Sequence, residues 1–139
     1  MAELNIVEKV IALEAVDLLS NLSPDQLSRV ASIAKESHHR PGALILEPSR
    51  EDALYVILDG EVELARDGQA ITSAKQGDVL GAWALFDTEP MKVTAKALND
   101  VKLLKIDRDD FYDLLSDNIE IAAGIFSTLV KRFRKLVEG

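Results

Sequence analysis

The chain has 139 residues, 47% hydrophobic and 29% charged, the balance of one ordinary globular domain rather than of a disordered segment. A formal net charge of −8 sets a field that repels phosphate backbones and anionic lipid heads, so nucleic acid is not an expected partner. No apolar run approaches the ~20 residues of a membrane span, and Glu3 and Glu8 stand where a signal peptide would be basic. Cysteine is absent, which removes disulfides, thiolate metal sites and a cysteine nucleophile. A cytoplasmic protein without membrane insertion is expected.

Over residues 3–20, Leu4, Val7, Ile11 and Val16 recur at helical spacing, with Leu18 and Leu19 near the end, and predict a first amphipathic helix. Ser23-Pro24-Asp25-Gln26 then places a hydroxyl at the N-cap, proline at N1, an acid in the first turn and glutamine at N3. A second helix is predicted from Pro24 to Lys35. From His38 the period changes, and Arg40-Pro41-Gly42 is a turn. Strands are predicted at Ala43–Leu46, Ala53–Leu58, Glu61–Ala65, Ala70–Ala74, Asp78–Leu80, Val93–Leu98 and Val101–Ile106. Turns fall at Asp59-Gly60, Asp67-Gly68, Gln76-Gly77 and Asn99-Asp100. Val62 and Leu64 alternate with Glu61 and Glu63, which suits a strand with one buried face; the run LYVIL does not alternate and predicts burial on both. After Ile106 the helical period returns, with Asp107 placed to cap a short helix through Leu115 and a longer helix over Ile119 to Val137.

Helices, strands, then helices, with no linker or repeat, predict one α+β domain: an antiparallel β-roll of the jelly-roll kind, flanked by N-terminal and C-terminal helices. The expected division is 1–36 for the first helices, 37–106 for the roll and 107–139 for the last helices.

These residues resemble the cyclic nucleotide-binding domain family, found in kinase regulatory subunits, cyclic AMP receptor transcription factors and some cation channels. The likeness spans LSPDQL, Pro41-Gly42, LYVILDGEVEL, GDVLGAWALFDTEP and VKLLKIDRDDF, with glycines 42, 60, 77 and 81 at the family's turns. The resemblance implies a phosphate-binding cassette over Gly81 to Thr94, with the family pattern F-G-E-(L/I)-A-L, a variable stretch, then P-R-(A/S)-A-T. Backbone N–H groups at a helix start would hold the cyclic phosphate, an arginine would add a two-pronged grip, and a glutamate would accept from the ribose hydroxyl. The implied ligand-facing residues are Leu80, Gly81, Ala82, Trp83, Ala84, Met91, Lys92, Val93 and Thr94. The chain keeps Gly81, Ala84, Leu85, Pro90 and Thr94 of that pattern. It departs at the two polar anchors: Ala82 stands in the glutamate's place and, read without a gap, Met91 in the arginine's. With a cassette one residue longer, Lys92 takes the basic position as a point charge without a planar fork.

A regulatory or sensor module, diverged from cyclic AMP and cyclic GMP and acting through another small anionic ligand, an effector or protein contacts, is the reading that follows. A working receptor using Lys92 and backbone amides is the alternative. A metal-dependent β-roll enzyme is a third, but it needs a cluster of inward-facing histidines and acids, and none is spaced for one. Trp83 reads as a ring filling the ligand pocket or stacking on a base, and Glu89 as a solvated acid. His38 and His39, on neighbouring strand positions, point to opposite faces and read as structural. No catalytic motif is present and no cofactor is expected. On the last helix, Ile119, Ala122, Phe126, Leu129, Phe133 and Leu136 form a coiled-coil-like seam, which either packs on the domain itself or joins two copies as a homodimer.

Overall fold

In the computed structural model, which describes residues 3–47, 53–81 and 93–139, the chain forms two compact units: residues 34–108, and residues 1–33 with 109–139. The first holds eight strands in two antiparallel sheets. They are β1 (Ala34–His39), β2 (Leu44–Leu46), β3 (Ala53–Asp59), β4 (Glu61–Arg66), β5 (Gln69–Lys75), β6 (Val79–Leu80), β7 (Thr94–Ala97) and β8 (Val101–Asp107). One sheet has the order β1-β8-β3-β6 and the other β2-β7-β4-β5. This is the expected β-roll, and all seven predicted strands are present.

Between the sheets lies an apolar core that includes Ile45, Leu46, Tyr55, Ile57, Val62, Leu80, Val101 and Leu103. Leu64 packs against it, so β4 has the one-faced burial its alternation predicts. β3 is buried along both faces from Ala53 to Ile57, as expected of a strand without alternation.

The other unit contains α1 (Ile6–Glu14), a short 3-10 helix at Asp17–Leu19, α2 (Pro24–Ser32), α3 (Arg108–Asp117) and α4 (Ile119–Glu138). α2 starts as predicted: the Gln26 amide donates to Ser23 Oγ at 3.2 Å, and the Ser23 amide donates to Gln26 Oε1 at 2.9 Å. α1 is shorter than predicted. Its start is fixed by a reciprocal cap between Asn5 and Glu8, and from Leu13 onward the buried residues Leu13, Val16, Leu19 and Leu22 recur every three positions. That spacing suits a 3-10 turn rather than a continued α-helix. Val7 and Ile11, from the predicted stripe, are exposed instead.

α2 also ends earlier than predicted, at Ser32, and β1 begins at Ala34, inside the expected helix. Pairing decides the matter, because every residue of β1 from Ala34 to His39 is in register with β8, from Ile106 back to Val101. The strand also gains an ion pair: the buried Glu36 carboxylate lies 3.6 Å from Lys102 Nζ.

The two sheets are joined at Gly60, between β3 and β4, and again at Asn99-Asp100, between β7 and β8. These two turns meet. The Glu61 amide donates to Asn99 Oδ1 at 2.8 Å, and a Cβ on Gly60 would lie 2.4 Å from the Asp100 carbonyl oxygen. Gly60 also has φ +96°, which L side chains avoid. Gly77, with φ +90°, has open space where its Cβ would be. Gly60→Ala is therefore expected to cost about 2–4 kcal/mol in urea unfolding, against about 1–2 kcal/mol for Gly77→Ala.

Candidate functional site

The chain passes from one sheet to the other a further time between β6 and β7, and this crossing is the cassette of the sequence reading. β6 is short and pairs only with β3 among the described residues, with Leu80 opposite Tyr55. Leu80 is buried in the core, and Gly81 follows with φ +75°. A Cβ on Gly81 would stand 2.6 Å from the Ala53 carbonyl oxygen, so the backbone here runs against β3 more closely than any other residue allows. On the far side Val93 is buried, and Thr94 opens β7 opposite Ala65. The Thr94 hydroxyl donates to the Ala65 carbonyl at 3.4 Å.

Leu80, Gly81, Val93 and Thr94 thus frame the site as two anchored ends on different sheets. Ala82, Trp83, Ala84, Met91 and Lys92 lie outside the described residues, as does Glu89. The roles read for them in the sequence therefore rest on residue identity alone.

The core of the roll is aliphatic apart from Tyr55, with Ala53, Ala74, Ala95 and Ala97 keeping it narrow. Among the described residues Thr128, on α4, is buried, and the buried Glu36 side chain on β1 is paired with Lys102. The charge of an anionic ligand must then be met at the rim of the roll or from the cassette.

His38 and His39 do point apart. His38 Nε2 lies 3.9 Å from Glu36 Oε2, while His39 Nε2 is 3.1 Å from Ser37 Oγ. Among the described residues no three metal-ligating side chains come together.

On α4 the buried positions are Ile121, Ile125 and Thr128, a stripe the sequence reading missed. The helix is apolar on several sides, so its spacing admits two stripes, and periodicity alone does not rank them. Loop 17–22 covers the buried one. Asn21 Nδ2 donates to Thr128 Oγ1 at 2.6 Å, Lys131 Nζ donates to Asn21 Oδ1 at 3.2 Å, and Arg132 pairs with Asp17. Of the predicted seam, Ala122 is half-buried while Ile119, Phe126, Leu129, Phe133 and Leu136 are exposed, Phe133 at 67% and Leu136 at 84%.

The family described as the cyclic nucleotide-binding domain matches residues 36–118, and this chain belongs to it. The cAMP-dependent protein kinase regulatory subunit of Emericella nidulans is 35% identical over 106 residues, covering 74% of this chain and 26% of that protein. The cGMP-dependent protein kinase egl-4 of Caenorhabditis elegans is 27% identical over 101 residues, 72% of this chain and 13% of that one. The chain spans about a quarter or less of the length of these curated relatives. Among solved structures, the N-terminal domain of a transcriptional regulator from Streptomyces coelicolor A3(2) superposes with a TM-score of 0.84 at 25% identity, over 92% of this chain and 96% of that one. The cAMP-bound regulatory domain of Toxoplasma gondii protein kinase A shares the fold, with a TM-score of 0.75 at 20% identity over 94% of this chain and 50% of that one.

Burial lowers the His39 pKa below the ordinary imidazole value, and the neighbouring His38 lowers it further. A depressed folded pKa means that the unfolded chain takes up this proton first. The resulting stability is complete above about pH 6.5 and is lost as pH falls through the folded value. His39→Gln is expected to flatten that part of the stability profile, measured by urea unfolding between about pH 7.5 and 5.

Proposed function

We propose that this domain is a non-catalytic regulatory module that keeps the cyclic nucleotide-binding fold but has diverged from tight binding of cyclic AMP and cyclic GMP. Its signal would be another small ligand or a protein contact, passed to an effector outside these residues. The observation that carries this is a preserved turn without its polar anchors. Gly81 has a positive φ, while the resemblance puts Ala82 and, read without a gap, Met91 in the places where the family has glutamate and arginine. The names of the relatives, regulatory subunits and a cyclic nucleotide-dependent kinase, support the regulatory part of the reading. A cytoplasmic location belongs to it as well, in keeping with a cysteine-free sequence.

Truncating one partner of a buried charged pair costs roughly 2–5 kcal/mol, and a loss of about 4 kcal/mol weakens a micromolar site about a thousandfold. Calorimetry with cyclic AMP and cyclic GMP is therefore expected to give dissociation constants well above about 10 μM, a value worth roughly 7 kcal/mol. A constant at or below that value would overturn the divergence. In that case Lys92→Ala, by abolishing the binding, would identify Lys92 as the replacement anchor.

The exposed seam of α4 supports a second element of the reading, a homodimer. Ile119, Phe126, Leu129, Phe133 and Leu136 alternate by three and four on a face that loop 17–22 does not cover, and an apolar strip of that length favours association. Light scattering at high micromolar concentration is expected to report twice the chain mass, and Phe133→Glu to return it to one. A wild-type monomer, unchanged by Phe133→Glu, would remove the dimer.

A further inference from the structure

The seam of α4 is symmetric in its spacing and asymmetric in its side chains. Ile119, Ala122, Phe126, Leu129, Phe133 and Leu136 are separated by three, four, three, four and three positions. The series therefore reads the same from either end, about a midpoint between Ser127 and Thr128. Size does not: Ala122 is its one small member, and Phe126 and Phe133 are its largest.

That difference separates the two ways in which a second copy can lie along the seam. In a parallel pair each residue meets itself, so the layer at Ala122 holds two methyl groups and the layers at Phe126 and Phe133 hold two rings each. Gaps and overfilled layers both cost packing energy. In an antiparallel pair about the midpoint, Ile119 meets Leu136, Ala122 meets Phe133 and Phe126 meets Leu129. A ring then sits over each alanine, and no layer holds two rings.

Charge favours the same arrangement independently. From Asp109 to Val130 every charged residue is acidic, whereas Lys131, Arg132, Arg134 and Lys135 outnumber Glu138 over the rest of the helix. Arg132 is met by Asp17 and Arg134 by Glu138, while Lys131 donates to the neutral Asn21. Lys131 and Lys135 are exposed and leave the far end basic. A parallel pair would bring two such ends within about a Debye length, ~10 Å, of each other. The antiparallel pair sets each beside Asp117 and Glu120 of the other copy, with Glu120 and Lys135 at the same level outside the apolar contact.

We infer that two copies of this chain associate through α4 in antiparallel orientation, with Ala122 of each beneath Phe133 of the other. The inference rests on the homodimer of the preceding reading and adds its geometry. Each copy covers the exposed Phe133–Val137 segment of the other with the half of α4 that Ile121, Ile125 and Thr128 anchor.

Because the chain has no cysteine, Glu138→Cys creates a single site for a spin label on the full protein. Antiparallel helices centred on the midpoint hold the two labels about 30 Å apart or more, and parallel helices hold them at one level, within about 20 Å. The longer distance is expected from electron spin resonance. Ala122→Phe would put two rings in one layer and is expected to weaken the dimer at least about tenfold, with Phe133→Ala added to it restoring the affinity. The label measurement does not depend on the folding of these size variants. A distance of about 20 Å or less, a dimer tightened by Ala122→Phe, or a swap that restores nothing would overturn the antiparallel seam and leave the homodimer standing. A wild-type chain that is monomeric by light scattering at high micromolar concentration would remove both.

Discussion

β8 lies between β1 and β3 and is buried along both faces, with Val101 and Leu103 towards the core and Leu104 and Ile106 on the opposite side. Each such side chain contributes roughly 1.5–3 kcal/mol, so this one strand accounts for a large share of what holds residues 34–108 together. It also sets the register of its neighbours. A slip by one residue would drive Lys102 into the core and turn Leu103 outward, so the pairing with both β1 and β3 is strongly specified. The strand conformation of Ala34 and Lys35, expected as the end of a helix, follows from that constraint. An unpaired edge on β8 would leave its amides and carbonyls without partners, and β1 supplies them along its full length.

The same strand turns polar at its end. Its apolar residues end at Ile106, and Lys105 and Asp107 sit at the end of the inward-facing row, where the core gives way to solvent. In the interior, alanines and branched aliphatic residues close the space between the sheets without recourse to an ion. The Gly81 backbone is another matter, since its close approach to the Ala53 carbonyl is part of the path of the chain and independent of what the next residue carries. The proposed loss of the glutamate and arginine, with retention of the glycine, is what this division of labour would allow.

Much of the fold is legible in the sequence because its punctuation is local. Ser23 and Gln26 cap their own helix, and the Asx-Gly and Gln-Gly turns fall where φ must be positive. β3 and β4 differ in alternation because one is buried on both faces and the other on one. What escapes the sequence depends on partners distant along the chain. Nothing in Ala34-Lys35-Glu36-Ser37 marks a strand until β8 is placed beside it. On α4, Ile121 and Ile125 compete with Phe126 and Phe133 as the inward stripe, and the choice is made by Asn21 and Leu22, more than a hundred residues earlier in the chain.

The way α4 is held makes its far half the part of this unit most dependent on something else. The helix has 20 residues and so extends about 30 Å. Its buried positions stop at Thr128, and every residue from Leu129 onward is exposed. Beyond Thr128, polar contacts tie the helix to the rest of the unit: Lys131 to Asn21 and Arg132 to Asp17. The Arg134–Glu138 pair lies within the helix itself. Exposed ion pairs of this kind are worth roughly 0–1 kcal/mol each, and an unsupported helix of about ten residues is marginal in water. Phe133, Leu136 and Val137 on that segment add apolar surface that no described residue of the chain covers. In the proposed homodimer, covering them would stabilise the helix and remove the surface together, coupling the order of this segment to association.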